Sequence, residues 1–325
     1  MEKTKFPKVS IISINYNQAQ ATTEMLDSVV ENSYPNLEVI VVDNASPNSG
    51  FEALPKKYPL PNFKFVESKI NLGFAGGNNF GFQFADGDFI LYLNNDAILT
   101  VGCIEKLVAT LQANPKLGVV SPIILDTKIK DSDPDIIQFA GTTTVNSITG
   151  RNATFGEGEE LSKQYIQTET AYAHGGAMMV PRTVIEKAGL IPEMYFLFYE
   201  ELDWCERIKE AGFEVALVPE ARVYHYMSLS MGKESPIKTY YINRSRTLFM
   251  RRNSKEIQFL GFLFFMTFFT VPKNSFKFIF KRQWANLKAY WNALIWNFKD
   301  SFFSNQPTTT TSQINSNKPV QTPLS

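Results

Sequence analysis

Glu200, Glu201 and Asp203 crowd three acids directly behind the aromatic run Tyr195, Phe196, Leu197, Phe198 and Tyr199. An acid beside apolar walls and like charges has a raised pKa, which suits a general base. Acids in a first helical turn are equally favoured by the helix dipole, so both readings stand at this point. Asp96 lies just past the apolar run FILYL (residues 89–93), after Asn94 and Asn95. A carboxylate there can hold Mg2+ or Mn2+ bound to a diphosphate, because both ions prefer hard oxygen ligands and let phosphates fill the remaining positions. The competing role is capping a helix expected over residues 101–112, from which Asp96 is several residues distant. His225 ends another apolar run and is a second candidate beside such a metal; a lone structural histidine is the plainer reading. His174, before Gly175 and Gly176, can line the same cleft but takes no assigned role.

Residues 71–81 read NLGFAGGNNFG. Gly73, Gly76 and Gly77 would let backbone pass close to a ligand, and Asn78 and Asn79 could cap a helix following them. The order is neither that of a dinucleotide fingerprint nor that of a P-loop, so the cluster points to sugar or diphosphate oxygens without defining them.

These residues need elements to position them. VSIISI (9–14) and LEVIVV (37–42) are short, apolar and β-branched, as strands buried on both faces should be. Strands are also expected at 63–67, 89–93 and 118–121, and helices over 19–31, from 78 to 85 and over 101–112. Strands alternating with helices predict an α/β fold with a mainly parallel central sheet flanked by helices, and ligands bind beyond the carboxyl ends of such strands. Asn15, Tyr16 and Asn17 follow the first strand, Asp43, Asn44, Ala45 and Ser46 the second, and Asn94, Asn95 and Asp96 the fourth. Each loop alone suits a turn or cap. Three at one sheet edge favour a shared pocket. Residues 126–170 are polar and weakly periodic, either a surface excursion or the border of an acceptor cleft.

The chain has 325 residues and a formal net charge of zero. Its two cysteines, Cys103 and Cys205, read as free thiols, which suits a reducing compartment. The run at 9–14 is too short for a secretory leader. The zero charge hides an asymmetry: residues 237–303 carry 12 Lys+Arg against 2 Asp+Glu, together with 13 of the 27 Phe and 3 of the 4 Trp. Basic residues interleaved with bulky apolar ones predict contact with an anionic membrane surface and argue against nucleic acid. The apolar run 258–271 is too short to span a bilayer, and Pro272 is expected to end it. Beyond it, Phe276, Ile279, Phe280, Leu287, Tyr290, Trp291, Leu294, Ile295 and Phe298 recur at helical spacing with Lys273, Lys277, Lys281, Arg282 and Lys288 between them. That pattern fits an interfacial helix or a helical pair packed on the core. The organisation expected is a catalytic domain over 1–236 (nucleotide-binding half about 8–125, acceptor half about 126–236), a basic aromatic helical extension over 237–303 and a disordered tail over 304–325.

Taken as a series, VSIISINYN, VVDNAS, NLGFAGGNN, YLNNDA, GGAMMVPR, FYEELDWCERI and VYHYMSLS resemble the motifs of family 2 glycosyltransferases, nearest the rhamnosyltransferase-like branch of bacterial surface-polysaccharide synthesis. The resemblance spans roughly residues 8–252. It implies a GT-A fold and inverting transfer of a rhamnose-like or other hexose from a nucleotide-diphosphate donor, dTDP- or UDP-linked, to a glycan or lipid-linked acceptor. It also implies a cytoplasmic enzyme on the inner face of the plasma membrane. Residues matching Tyr16 and Asp43 contact the nucleotide in that family, and Asn15, Asn71, Gly76, Asn78 and Asn95 complete the expected pocket. Asn94 to Asp96 occupy the place of the family's D-x-D motif with its first acid replaced by Asn. Glu200 and Glu201 match its E-D pair, Glu201 taking the place of the base, and His225 matches a His near the metal in some members. A sugar nucleotidyltransferase and a non-catalytic glycan- or lipid-binding scaffold are the alternatives; the former would need a Gly-rich basic loop near Tyr16, which the sequence lacks.

Overall fold

The computed structural model describes residues 6–47, 50–128, 133–161, 169–226 and 235–299. The tail expected over 304–325, the end of the extension at 300–303, and the MSLS part of the last motif lie outside the described residues.

Nine strands form one mixed sheet: β1 (Val9–Asn15), β2 (Leu37–Asp43), β3 (Phe63–Glu67), β4 (Phe89–Leu93), β5 (Ala97–Leu99), β6 (Leu117–Asp126), β7 (Ile137–Phe139), β8 (Ala177–Pro181) and β9 (Glu214–His225). Their order is β3-β2-β1-β4-β8-β6-β9-β5, with β7 paired to β6. The half read most directly from the sequence, β3-β2-β1-β4, is parallel. Its β1 and β2 are buried almost throughout, which is why they lack polar alternation. The other half adds antiparallel β4·β8, β6·β8, β6·β7 and β5·β9 to a parallel β6·β9 pair. The three-residue β5 and β7 are too short to leave a periodic signal.

Among the described residues, ten α-helices accompany the strands: α1 (Ala19–Asn32), the one-turn α2 (Leu54–Lys57), α3 (Gly73–Phe82), α4 (Cys103–Ala113), α5 (Arg182–Ala188), α6 (Glu200–Glu210), α7 (Pro236–Asn253), α8 (Glu256–Phe265), α9 (Val271–Phe280) and α10 (Trp284–Lys299). On α1, Met25, Leu26 and Val29 form a buried stripe as the spacing predicts, joined by Ala21, while Val30, expected on the same stripe, is 48% exposed.

Two expectations change. The glycine cluster is not a loop before a helix: α3 begins at Gly73 and runs through Gly76 and Gly77. A Cβ on Gly77 would come within 2.8 Å of Ile14 Cδ1, and one on Gly81 within 2.6 Å of Ile12 Cγ2, so missing side chains let α3 lie close on β1. Pro272 does not end the apolar run either. A π-helical turn, Met266–Thr270, joins α8 to α9, and Pro272 falls in the first turn of α9, where an absent N–H costs little. The run Glu256–Phe280 is thus 25 residues of continuous helix, long and apolar enough by length and composition to cross a membrane.

Its outer face is bare. Phe264, Phe268, Phe276 and Phe280 are 59–80% exposed. In contrast, α10 packs back onto α7: Arg244 stacks on the Trp296 ring at 3.9 Å, and Asn297 Nδ2 donates to the Arg244 carbonyl at 3.1 Å. Of the two fates considered for the basic aromatic stretch, α10 takes the packed one, while α8 and α9 keep an open apolar face.

Candidate active site

The parallel strands β1, β2 and β4 end side by side, delivering Asn15, Asp43 and Asn94–Asp96 to one edge. Hydrogen bonds join them. Asn15 Nδ2 donates to Asp43 Oδ1 at 2.7 Å, and Thr22 Oγ1 donates to Asn15 Oδ1 at 3.0 Å. Asn95 Nδ2 in turn donates to Thr22 Oγ1 at 3.0 Å. Ser46 closes the other end, its hydroxyl donating to Asp43 Oδ1 at 2.6 Å and accepting from Asn17 N–H at 2.9 Å. Tyr16, in the turn beside them, is 42% exposed, so its ring is available at the rim.

Asp96 meets His225 through sheet register, since β5 pairs antiparallel with β9 and sets Ala97 opposite His225. His225 Nε2 lies 3.1 Å from Asp96 Oδ1 and 3.3 Å from Asn94 Nδ2. The tautomer follows from Gln138. Its Nε2 donates to the His225 carbonyl at 2.7 Å, which leaves Oε1 facing Nδ1 at 3.0 Å. The ring proton therefore sits on Nδ1, and Nε2 faces the Asp96 carboxylate. Two donors of electron density pointing at one spot, with the Asn94 amide oxygen within reach by a flip, is a donor set that fits a divalent cation. Among the described residues no group of three His, Cys, Asp or Glu could hold a metal, so Asn94 and substrate phosphates would have to complete the shell.

The Gly175–Gly176 segment links this cluster to the start of α6. Asn94 N–H donates to the Gly176 carbonyl at 2.9 Å, and a Cβ on Gly175 would stand 3.9 Å from Glu201 Cβ. Phe196, Phe198 and Tyr199, just before α6, all have φ between 64° and 69°, a left-handed backbone that costs side-chain-bearing residues energy. This strained turn sets the buried Glu200 and the half-buried Glu201 at the start of α6. One carboxylate oxygen of each, Oε2, has no hydrogen-bond partner. Burial, with the neighbouring Glu201 charge, raises the Glu200 carboxyl well above the usual range. Burial also raises Glu201, to about 7, with its own N–H and that of Leu202 pulling the other way. His174, half-buried, is lowered to about 3 by desolvation and by His225; it stays neutral and accepts from Gly176 N–H at 3.0 Å.

Asp203 does not join the site. On the opposite side of α6 its Oδ2 accepts from Tyr195 OH at 2.6 Å, Arg252 Nε at 2.9 Å and Asn253 Nδ2 at 3.0 Å, tying α6 to α7. Asn71, Gly76 and Asn78 build α3: Asn71 Oδ1 accepts from Gly73 N–H at 2.9 Å, and Asn78 Nδ2 donates to the Phe74 carbonyl at 3.1 Å. Both cysteines are buried and free, their thiols raised to about 12 by burial, so neither is a nucleophile. Thr22 and Gln138 were not legible beforehand. Thr22 is one polar residue on an amphipathic helix, and Gln138 lies in the weakly periodic stretch.

An α/β sheet that brings Asn15, Asp43 and Asn94–Asp96 together at the carboxyl ends of its parallel strands has the arrangement in which such folds bind ligands. The sequence profile of glycosyl transferase family 2 matches residues 10–189, and the chain belongs to that family. It is 24% identical to the low-salt glycan biosynthesis hexosyltransferase Agl10 of Haloferax volcanii over 261 residues, 76% of this chain and 77% of that one. It is 22% identical to the N-acetylglucosaminyl-diphospho-decaprenol L-rhamnosyltransferase of Mycobacterium tuberculosis over 240 residues, 69% and 78% of the two chains. The fold is that of the mannosyltransferase PcManGT from Pyrobaculum calidifontis, solved with GDP-Man and Mn2+ (TM-score 0.56, 18% identity, covering 91% of this chain and 76% of that one). It equally matches S. aureus TarS 1-349 with UDP-GlcNAc (TM-score 0.56, 17% identity, 87% and 79% covered).

Proposed function

We propose that this chain is an inverting glycosyltransferase that moves a hexose or deoxyhexose from a dTDP- or UDP-linked donor to a hydroxyl of a glycan or lipid-linked glycan. The observation that carries this reading is the continuous path from Asp43 through Asn15, Thr22 and Asn95 to Asp96 and His225, with the Gly175–Gly176 segment joining Asn94 to the neighbourhood of Glu201. The relative that acts on a diphospho-decaprenol acceptor supports the lipid-linked alternative.

Tyr16, Asn15 and Asp43 bind the nucleoside end of the donor. Asp96, His225 and Asn94 are the residues that would hold Mg2+ or Mn2+ beside the donor's diphosphate. A bound cation of this kind supplies Lewis-acid stabilisation of charge on the leaving group. Glu201 takes the proton of the acceptor hydroxyl as its oxygen bonds to the anomeric carbon, while the opposite bond, to the diphosphate, breaks with its electron pair. Glu200, held protonated, keeps a second negative charge away from that base. Residues 1–236 form the catalytic unit, and the basic aromatic extension rests on the anionic inner face of the plasma membrane, where a lipid-linked acceptor is found.

The test is transfer and hydrolysis across a panel of nucleotide sugars, with Mn2+ or with excess EDTA. Turnover of one donor that EDTA abolishes supports the reading. Nucleotide-sugar synthesis from a sugar phosphate would establish the nucleotidyltransferase instead, and binding without turnover the scaffold.

A further inference from the structure

Arg246, on α7, is 3% exposed, and no acid is among its electrostatic neighbours, which are Tyr199, Arg151 and Tyr290. Its Nη2 donates to Asn243 Oδ1 at 2.9 Å and touches Met266 Sδ, a poor acceptor, at 3.4 Å. Its Nε has no partner, and the hydroxyl of the buried Tyr290 beside it is close to the Asn274 side chain. A guanidinium taken out of water without a counter-charge is costly, and its own unsatisfied Nε adds to that cost. An anion with several acceptor oxygens would relieve both.

The surroundings narrow the anion. Arg151, an exposed second arginine, follows Gly150, whose added Cβ would come within 3.0 Å of Arg246 Cγ and 2.8 Å of the Phe262 ring. The Gly150 carbonyl accepts from Tyr199 OH at 2.7 Å, and Tyr199 immediately precedes Glu200 and Glu201. On the other flank, Met266 opens the π-helical turn that continues into the exposed apolar face of α8 and α9. The cluster thus sits between a proton-accepting acid and a lipid-like surface.

We propose that Arg246, Arg151 and Tyr290 form a binding site for the phosphate or diphosphate group of a lipid-linked acceptor. The acceptor's role rests on the transferase reading above, whereas the anion site rests on this cluster alone. A lipid chain leaving the site along α8 and α9 would present its sugar toward Glu201.

The test measures binding, without donor and without turnover, so a chain that transfers no sugar leaves it intact. Farnesyl diphosphate, farnesol and inorganic diphosphate are titrated calorimetrically in EDTA, which silences cation-mediated binding at Asp96. The full-length protein should bind farnesyl diphosphate, and Arg246→Gln should weaken it at least tenfold, with Arg246→Lys recovering part of the loss. Arg151→Gln, at an exposed position, should weaken it similarly and carries the test should Arg246→Gln fail to fold. Unchanged affinity in a folded variant, or an equal loss for farnesol, overturns the site. Inorganic diphosphate binding as tightly as farnesyl diphosphate overturns the lipid-linked assignment and leaves a site for free phosphate.

Discussion

His225 Nε2 and Asp96 Oδ1 stand 3.1 Å apart because Ala97 and His225 are register partners in an antiparallel pair formed by only three residues of β5. Gln138, from β7 on the neighbouring strand, sets which ring nitrogen faces that gap. Replacing it with Leu frees the imidazole to flip and leaves the His225 carbonyl without its donor. Gln138→Leu should weaken Mn2+ binding ten- to a hundredfold, as loss of an outer-shell partner does elsewhere, read as free Mn2+ by electron paramagnetic resonance. An unchanged affinity would remove Gln138 from the metal-orienting role.

Glu201, raised to about 7, must lose its proton to act as a base. The rate should therefore climb with pH through about 7, and Glu201→Gln should both abolish that limb and lower kcat by 100-fold or more. Stability runs in the opposite direction. A carboxyl whose folded pKa lies above its unfolded value contributes most below about 4.5, and that contribution is lost as pH rises through about 7. Glu201→Gln should thus be more stable than the parent at pH 8, by about 1–2 kcal/mol, in urea titrations. Near-parental turnover in the variant would reject Glu201 as the base.

The parallel half of the sheet was legible because β1, β2 and β4 are apolar runs whose polar tips, Asn15, Asp43 and Asn94–Asp96, must emerge at one edge. The meeting of Asp96 with His225 was legible only through family resemblance, since a three-residue strand paired across more than a hundred positions leaves no local pattern. Gly76 and Gly77 read as a ligand loop because glycine is permissive in loops; against Ile12 and Ile14 the same absence of Cβ serves close helix packing. Asp203 read as a third catalytic acid because proximity in sequence hides direction around a helix. Two positions beyond Glu201, it points to the far side of α6.

That direction makes Asp203 a structural residue with a measurable signature. Its carboxylate is 1% exposed and ion-paired to Arg252, so removing it leaves a partly buried guanidinium unpaired. Asp203→Ala should cost about 3–5 kcal/mol of unfolding free energy. The pH–rate profile of the folded fraction should keep its midpoint near 7; a displaced midpoint would place Asp203 in the chemistry after all.

Glu38 predicts behaviour in acid. Burial alone would raise its carboxyl, but hydrogen bonds from Asp86 N–H, Lys64 and Ser10 outweigh that and hold it at about 2. A depressed carboxyl contributes stability above its unfolded pKa, near 4.5, and loses it as pH falls toward 2. The full contribution is about 3 kcal/mol from the shift. Glu38→Gln should flatten the fall in melting temperature between pH 5 and 3 while lowering stability at pH 7. A parallel fall in both proteins would disprove the assignment.

The membrane proposal turns on one face rather than on the whole extension. Removing the extension would also strip α10 from α7, where Tyr290 and Ala293 are fully buried, and would confuse docking with folding. Phe268, Phe276 and Phe280 instead project from α9 and the π turn before it without supporting the core, being 62%, 70% and 80% exposed. Phe268→Ser, Phe276→Ser and Phe280→Ser together should leave the melting temperature within a few degrees and abolish flotation with vesicles containing anionic lipid. Parental flotation should also weaken as salt rises, because Lys273 and Lys277 on α9 and Lys281 just after it add an electrostatic share that ions screen. Undiminished flotation of the triple variant would mean that this face meets something other than lipid.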